Sequence, residues 1–213
     1  MGFGEIKNIV SKEYPLYFPH PGWSEQKPED WFAQSMEGLK ELLEGFAKDQ
    51  VKGISFGVYV MIVEQKLAEM GLELPAVAEP AGLYTFCRRV GNLIWVSGQT
   101  PDINSELQIA GIVGDTLTLE EGQRAAQLSA LNVLAVLKRE LGDLDRIKQF
   151  VHLTGFVRCT QNFGMHPQVF NGASGLFKAL YGEAGVGTRI ALGAYDLPEG
   201  AATEITCVVE VTD

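Results

Sequence analysis

A chain of 213 residues, 46% of them hydrophobic and 21% charged, has the balance of a globular protein with room for a core, which excludes disordered, collagen-like and disulfide-dense classes. The 17 Lys+Arg against 27 Asp+Glu leave a formal net charge of -10, so no electrostatic footprint for nucleic acid or an anionic membrane surface is expected. The longest apolar run, 54–63, is about half of the roughly 20 residues a membrane span needs, and the Gly-Phe-Gly-Glu after Met1 is no signal peptide. Cys87, Cys159 and Cys207 are far apart and fit neither a CxxC nor a zinc-type spacing, and His20, His152 and His166 are scattered. No metal or cofactor is expected, and the sparse cysteines fit a reducing cytoplasm.

In chain order, Tyr14 to Trp23 is an extended, irregular segment because its prolines disfavour helix. Pro28-Glu29-Asp30 then opens a helix whose apolar stripe is Trp31, Phe32, Met36, Leu39, Leu42, Leu43 and Phe46. Val51 to Val63 reads as a strand, with its far end grading into the helix suggested by Glu64 to Met70 and stopped by Gly71. Tyr84 to Val90 and Leu93 to Ser97 form a hairpin about Gly91-Asn92. After a loop, Thr118 and Glu121 form a capping box for a long helix with a face of Ala125, Leu128, Leu131, Leu134, Leu137 and Leu141, ended by Gly142. Ile147 to Val157 is a strand. Pro167 starts a second helix with Phe170, Leu176, Phe177 and Leu180 on its face, and strands Thr188 to Tyr195 and Thr203 to Val211 follow. The order ββ-α-β-α-ββ predicts an α+β two-layer sandwich, a mixed sheet carrying two helices, preceded by an N-terminal α/β extension. The sheet's far face is partly apolar in the last strand, which predicts an oligomer that covers it.

Phosphate-loop and nucleophile-elbow signatures are missing, and Gly182, Gly185 and Gly187 lack the spacing of a dinucleotide loop. The polar set that remains is Tyr84, Ser97-Gly98-Gln99, Asn171, Arg189 and Glu204. Arginine can clamp a carboxylate through two donors, and a glutamate on a neighbouring strand can take a proton from water. By spacing alone, Arg189 and Glu204 fit better as an ordinary cross-strand ion pair.

From about residue 63 to 213 the chain resembles the Rid (YjgF-like, endoribonuclease L-PSP) family, in its chorismate-mutase-like branch. The motifs are VEQKLAEMGLELP, GNLIWVSGQTP, ALNVLAVLKRELGDLDRIKQFVHLTGFV, FNGASGLFKALYGEAG and TRIALGAYDLPEGAATEITCVVEV. The resemblance implies a homotrimer with small-molecule clefts between subunits and hydrolytic deamination of 2-imino or enamine acids to 2-keto acids and ammonia. It assigns Arg189 to the substrate carboxylate and Glu204 to water activation. Tyr84, Gly98, Asn171 and the backbone near Ala191 complete the substrate pocket; Ala191 stands where the family often has Cys. A non-catalytic carboxylate-binding or holdase role is the alternative, and an endoribonuclease is the third reading.

Residues about 5–57, with EYPLYFPHPGWSEQKPEDWFAQSMEGLKELL and KGISFG, resemble a stretch of xylulokinase-type sugar kinases. The kinase phosphate loop and catalytic aspartate have no counterpart, so kinase function is rejected. The division expected is an extension at 1–62 and a Rid-like domain at 63–213.

Overall fold

The computed structural model describes residues 12, 27–44, 62–77, 79–80 and 82–212. The chain divides into two compact units, Met1–Val58 and Tyr59–Asp213. In the first, helix α1 spans Pro28–Leu42 with proline in its first turn and Glu29 and Asp30 at the positive end of its dipole. Lys12 pairs with Glu41 at 2.6 Å. The irregular segment at 14–23 and the body of the strand expected at 51–63 lie outside the described residues; Ile62 and Val63 already belong to helix α2, Ile62–Glu69.

The second unit is built on a five-stranded mixed sheet. Its strands are β1 (Cys87–Val90), β2 (Leu93–Gln99), β5 (Ile147–Arg158), β6 (Thr188–Ala194) and β7 (Thr203–Val211), in the spatial order β1-β2-β7-β5-β6. All neighbours are antiparallel except β5 and β6, which are parallel. Two short strands, β3 (Asp102–Ile103) and β4 (Glu106–Leu107), form a separate hairpin inside the expected loop, with Asn104 and Ser105 both at positive φ in its turn.

One face of the sheet carries α3 (Leu119–Leu141) and α5 (Asn171–Tyr181). Thr118 caps α3: its hydroxyl accepts from the Glu121 backbone N–H, while Glu121 accepts from the Thr118 backbone. Gly142, at φ 76, ends the helix in the left-handed conformation. The core lies between these helices and the sheet, with Leu134, Leu137, Phe170, Phe177, Val157, Ile205 and Val209 fully buried. Phe150 stacks on Phe177 at a centroid distance of 4.0 Å. The α+β two-layer sandwich expected from the sequence is therefore the observed fold.

Two boundaries differ. Tyr84 to Phe86 are not strand; β1 starts at Cys87, and the preceding bend is held by Ser97, whose hydroxyl donates to the Thr85 carbonyl at 2.7 Å. The single helix expected from Pro167 is a short α4 (His166–Val169) followed by α5, because the chain turns at Phe170 (φ -77, ψ 1) to bury that ring. Gly182, at φ 62, ends α5; Gly185 and Gly187 instead abut the carbonyl oxygens of Phe177 and Phe150, so their role is close packing.

Candidate functional site

Glu204 lies on β7 between Thr203 and Ile205, both fully buried against the helices, so alternation sends its side chain to the opposite face of the sheet. It then crosses the backbone of β2 at Gly98, where a Cβ would sit 1.8 Å from Glu204 Oε1. A register shift in β2 between Val96 and Gln99 brings Gly98 to that position. Burial raises the Glu204 carboxyl above its ordinary range, and among the described residues it has no hydrogen-bond or ion-pair partner. The cavity beside it, about 340 Å³, is lined by Tyr84, Phe86, Gln99 and Asn132 among others. Asn132 fixes its rim, donating to the carbonyls of Thr100 (3.1 Å) and Asp102 (2.8 Å). Tyr84 meets Phe86 edge-on at 5.8 Å and is half exposed, able to close over an occupant.

Arg189 is the second residue of β6 and points to the other face. Its guanidinium donates to Ser174 Oγ at 2.9 Å, to Asn171 Oδ1 at 3.3 and 3.4 Å, and to the Pro167 carbonyl at 3.1 Å. All these partners are neutral, so the cation is oriented without being neutralised. Burial lowers its pKa. Ala191 follows on the same face, packed against the core.

The structure thus brings together Tyr84, Gly98 and Glu204 as one group, and Arg189, Asn171 and Ala191 as another. The cross-strand ion pair favoured by spacing is not formed. Among the described residues strand β6 pairs only with β5, which separates it from β7. Arg189 is in register with Leu153 and Cys207, both buried beneath the helices, whereas Glu204 is in register with Phe156 and Leu192. The two charged groups therefore leave opposite sheet faces, two strand spacings (about 10 Å) apart and three residues out of line.

Other polar clusters have structural partners. Asp145 accepts from the backbone N–H groups of Ile62 (2.7 Å) and Val63 (3.1 Å), capping α2. It lies with Glu64 and Asp143 in a carboxylate cluster of the kind that can hold a metal, but Lys138 pairs with Glu64 there. His152 is held by Thr188 and Thr154 at 2.8 and 3.1 Å. His166 faces Cys159, with Nε2 3.4 Å from Sγ. No motif spacing signals that pair, because it forms between a strand end and a helix start. His20 lies outside the described residues.

A family model described as "YjgF/chorismate mutase-like, putative endoribonuclease" matches residues 64–209. Protein TCP17 of Trypanosoma cruzi is 40% identical over 152 residues, covering 71% of this chain and 95% of that protein. Among solved structures, Atu1372 of Agrobacterium tumefaciens, a protein of unknown function, is 38% identical with a TM-score of 0.66, covering 71% of this chain and 94% of its own. A "putative endoribonuclease" from Shewanella oneidensis is 35% identical with a TM-score of 0.68, covering 70% and 99%. A xylulose kinase of Staphylococcus epidermidis is 44% identical over 55 residues, 25% of this chain but only 11% of the kinase. No helix among the described residues is long and apolar enough to cross a membrane. A match across the whole sheet-and-helix unit, supported by two well-aligned structures, makes this chain a member of the YjgF/chorismate mutase-like (Rid) family.

Proposed function

We propose that the protein hydrolyses reactive 2-imino or enamine acids to 2-keto acids and ammonia, in a cleft completed by a second copy of the chain. The observation that carries this reading is the separation of a half-buried carboxyl, Glu204, with no partner among the described residues, from an oriented but unneutralised guanidinium, Arg189, on opposite sheet faces. One chain cannot present both to a small molecule; two adjacent copies can. The open sheet face supports association, since Trp95, Ile190 and Leu192 are 45%, 47% and 47% exposed there. A homotrimer of the Rid type is the assembly proposed.

In this reading Arg189 takes the substrate carboxylate in place of its two long contacts to Asn171 Oδ1, while Ser174 and the Pro167 carbonyl hold the guanidinium plane. Water adds to the C=N carbon of the protonated imine as Glu204 takes one of its protons, giving a neutral carbinolamine. Glu204 then gives that proton to nitrogen, the C–N bond breaks, and the hydroxyl proton passes through Glu204 to the departing ammonia, which leaves as ammonium while the ketone forms. Burial raises this carboxyl above its ordinary range, which makes its conjugate base a better proton acceptor from water. No cofactor is required by this balance, and the substrate partner is a small carboxylate. The endoribonuclease description belongs to the family and to the Shewanella protein; a net charge of -10 disfavours RNA here.

The test is competition with semicarbazide for imines generated in situ from several amino acids, comparing the protein with Arg189→Ala. The protein should divert imine to keto acid, and the variant should lose about 10–100-fold in kcat/KM, the worth of a charge-assisted clamp. Equal rates for the two, or no diversion by either, would contradict the reading; carboxylate binding without turnover would instead favour a binding or holdase role.

A further inference from the structure

A second cluster with chemical potential lies where β5 ends and α4 begins. Cys159 Sγ and His166 Nε2 are 3.4 Å apart, within reach of a thiol–imidazole hydrogen bond in the Nδ1–H tautomer. The imidazole is held by its place at the start of α4 and by Phe163, whose ring meets it edge-on at 5.3 Å and 88°. Gly193 of β6 makes the room: a Cβ there would lie 2.9 Å from His166 Nε2 and 3.2 Å from Cys159 Sγ. The pair opens onto a cavity of about 780 Å³, lined also by Ile112, Asp115, Phe163 and Tyr195. No lysine or arginine lines it among the described residues, and Asp115 contributes a carboxylate. A cavity of this volume accepts a small organic molecule, and its charge disfavours anions.

We propose that Cys159 and His166 form a second, reactive site that adds covalently to small neutral α,β-unsaturated carbonyl compounds. The step is a conjugate addition. Cys159 Sγ bonds to the β-carbon while its proton passes to His166 Nε2, and the C=C electron pair moves onto the carbonyl as an enolate. The imidazolium then returns the proton to the α-carbon, so nothing leaves and no oxidant or reductant is consumed. Burial raises the Cys159 thiol, so His166 works as a base during attack rather than by holding a resting thiolate.

The chain supplies its own controls. Cys87 is also partly exposed but has no imidazole partner among the described residues, and burial pushes its thiol up to about 12; Cys207 is buried. The intact protein is treated with limiting N-ethylmaleimide at neutral pH, without any imine substrate, and peptide mass mapping follows each cysteine. Cys159 should label at least about 10-fold faster than Cys87, and His166→Gln should remove most of that advantage while leaving the Cys87 rate unchanged. Gly193→Ala, which fills the space between the pair, should slow Cys159 in the same way. Labelling of Cys87 ahead of Cys159 in the unaltered protein would overturn the proposal without recourse to any variant. So would a Cys159 rate untouched by His166→Gln in a folded variant. Neither outcome depends on whether the protein hydrolyses imines.

Discussion

Glu204 occupies the space over Gly98 that any side chain would fill, with Oε1 1.8 Å from the site of the missing Cβ. Gly98 is not among the glycines at positive φ, so its backbone accepts alanine and only the carboxylate must move. Gly98→Ala should fold normally yet lose about 100-fold in imine hydrolysis, the usual cost of displacing a proton-transfer group by roughly 1 Å. Steady-state kinetics beside a thermal melt would check this; an active Gly98→Ala enzyme would remove Glu204's position from the account.

The Glu204 carboxyl also sets two pH dependences. Its pKa is raised from 4.5 by burial, so the acid limb of kcat/KM should stand above the ordinary carboxylate range and vanish in Glu204→Gln. For stability the sign is the reverse of the usual carboxylate case. A folded-state pKa above the unfolded one favours the protonated form on folding, so this contribution is complete below about 4.5 and is lost as pH rises through the folded pKa. Glu204→Gln should therefore match the parent in acid and be the more stable of the two at neutral pH. Denaturant titrations at both pH values would read the difference.

One residue before Glu204, Thr203 Oγ1 lies 3.0 Å from Ser129 Oγ on α3, and both residues are fully buried. This pair ties the strand that carries the carboxylate to the long helix. Thr203→Val orphans the serine hydroxyl and should cost about 1–3 kcal/mol, while adding Ser129→Ala should return part of that loss. Equilibrium unfolding of the four proteins in the cycle would measure the coupling; strict additivity would mean the hydroxyls do not interact.

Much of this unit was legible in the sequence because its signals are local. Thr118, Glu121 and Gly142 bound α3 through contacts within a few residues, and the alternation of Ile205, Cys207 and Val209 marks the buried side of β7. The helix break at Phe170 was not legible, since it is set by that ring's burial beneath α3 and not by a Pro or Gly at the break. The six residues proposed for the site were named from the sequence, five as a polar set on or beside strands and Ala191 through family resemblance. Their division between two sheet faces was not, because nothing local states that β5 lies between β6 and β7. Cys159 and His166 illustrate the same limit: seven residues apart, they meet only because β5 runs out where α4 turns back.

The core cluster draws its residues from Val63 to Val211, and the helix that begins this unit is capped from within it by Asp145. A chain starting at Tyr59 should therefore fold and keep the hydrolytic activity, with an unfolding midpoint within about 4 °C of the full chain. Calorimetry on the shortened protein would test it; loss of folding would give residues 1–58 a structural role in the catalytic unit.

The central claim is that Arg189 and Glu204 act on one substrate from two different copies. Arg189→Ala and Glu204→Gln, each strongly impaired alone, should regain activity when co-expressed and co-assembled, because some interfaces then join an intact arginine to an intact glutamate. For random mixing in equal amounts about one quarter of the sites are restored, so the mixture should reach about 25% of parental keto-acid production. Mixed assemblies, verified by mass, that stay as impaired as the two variants separately would contradict the account.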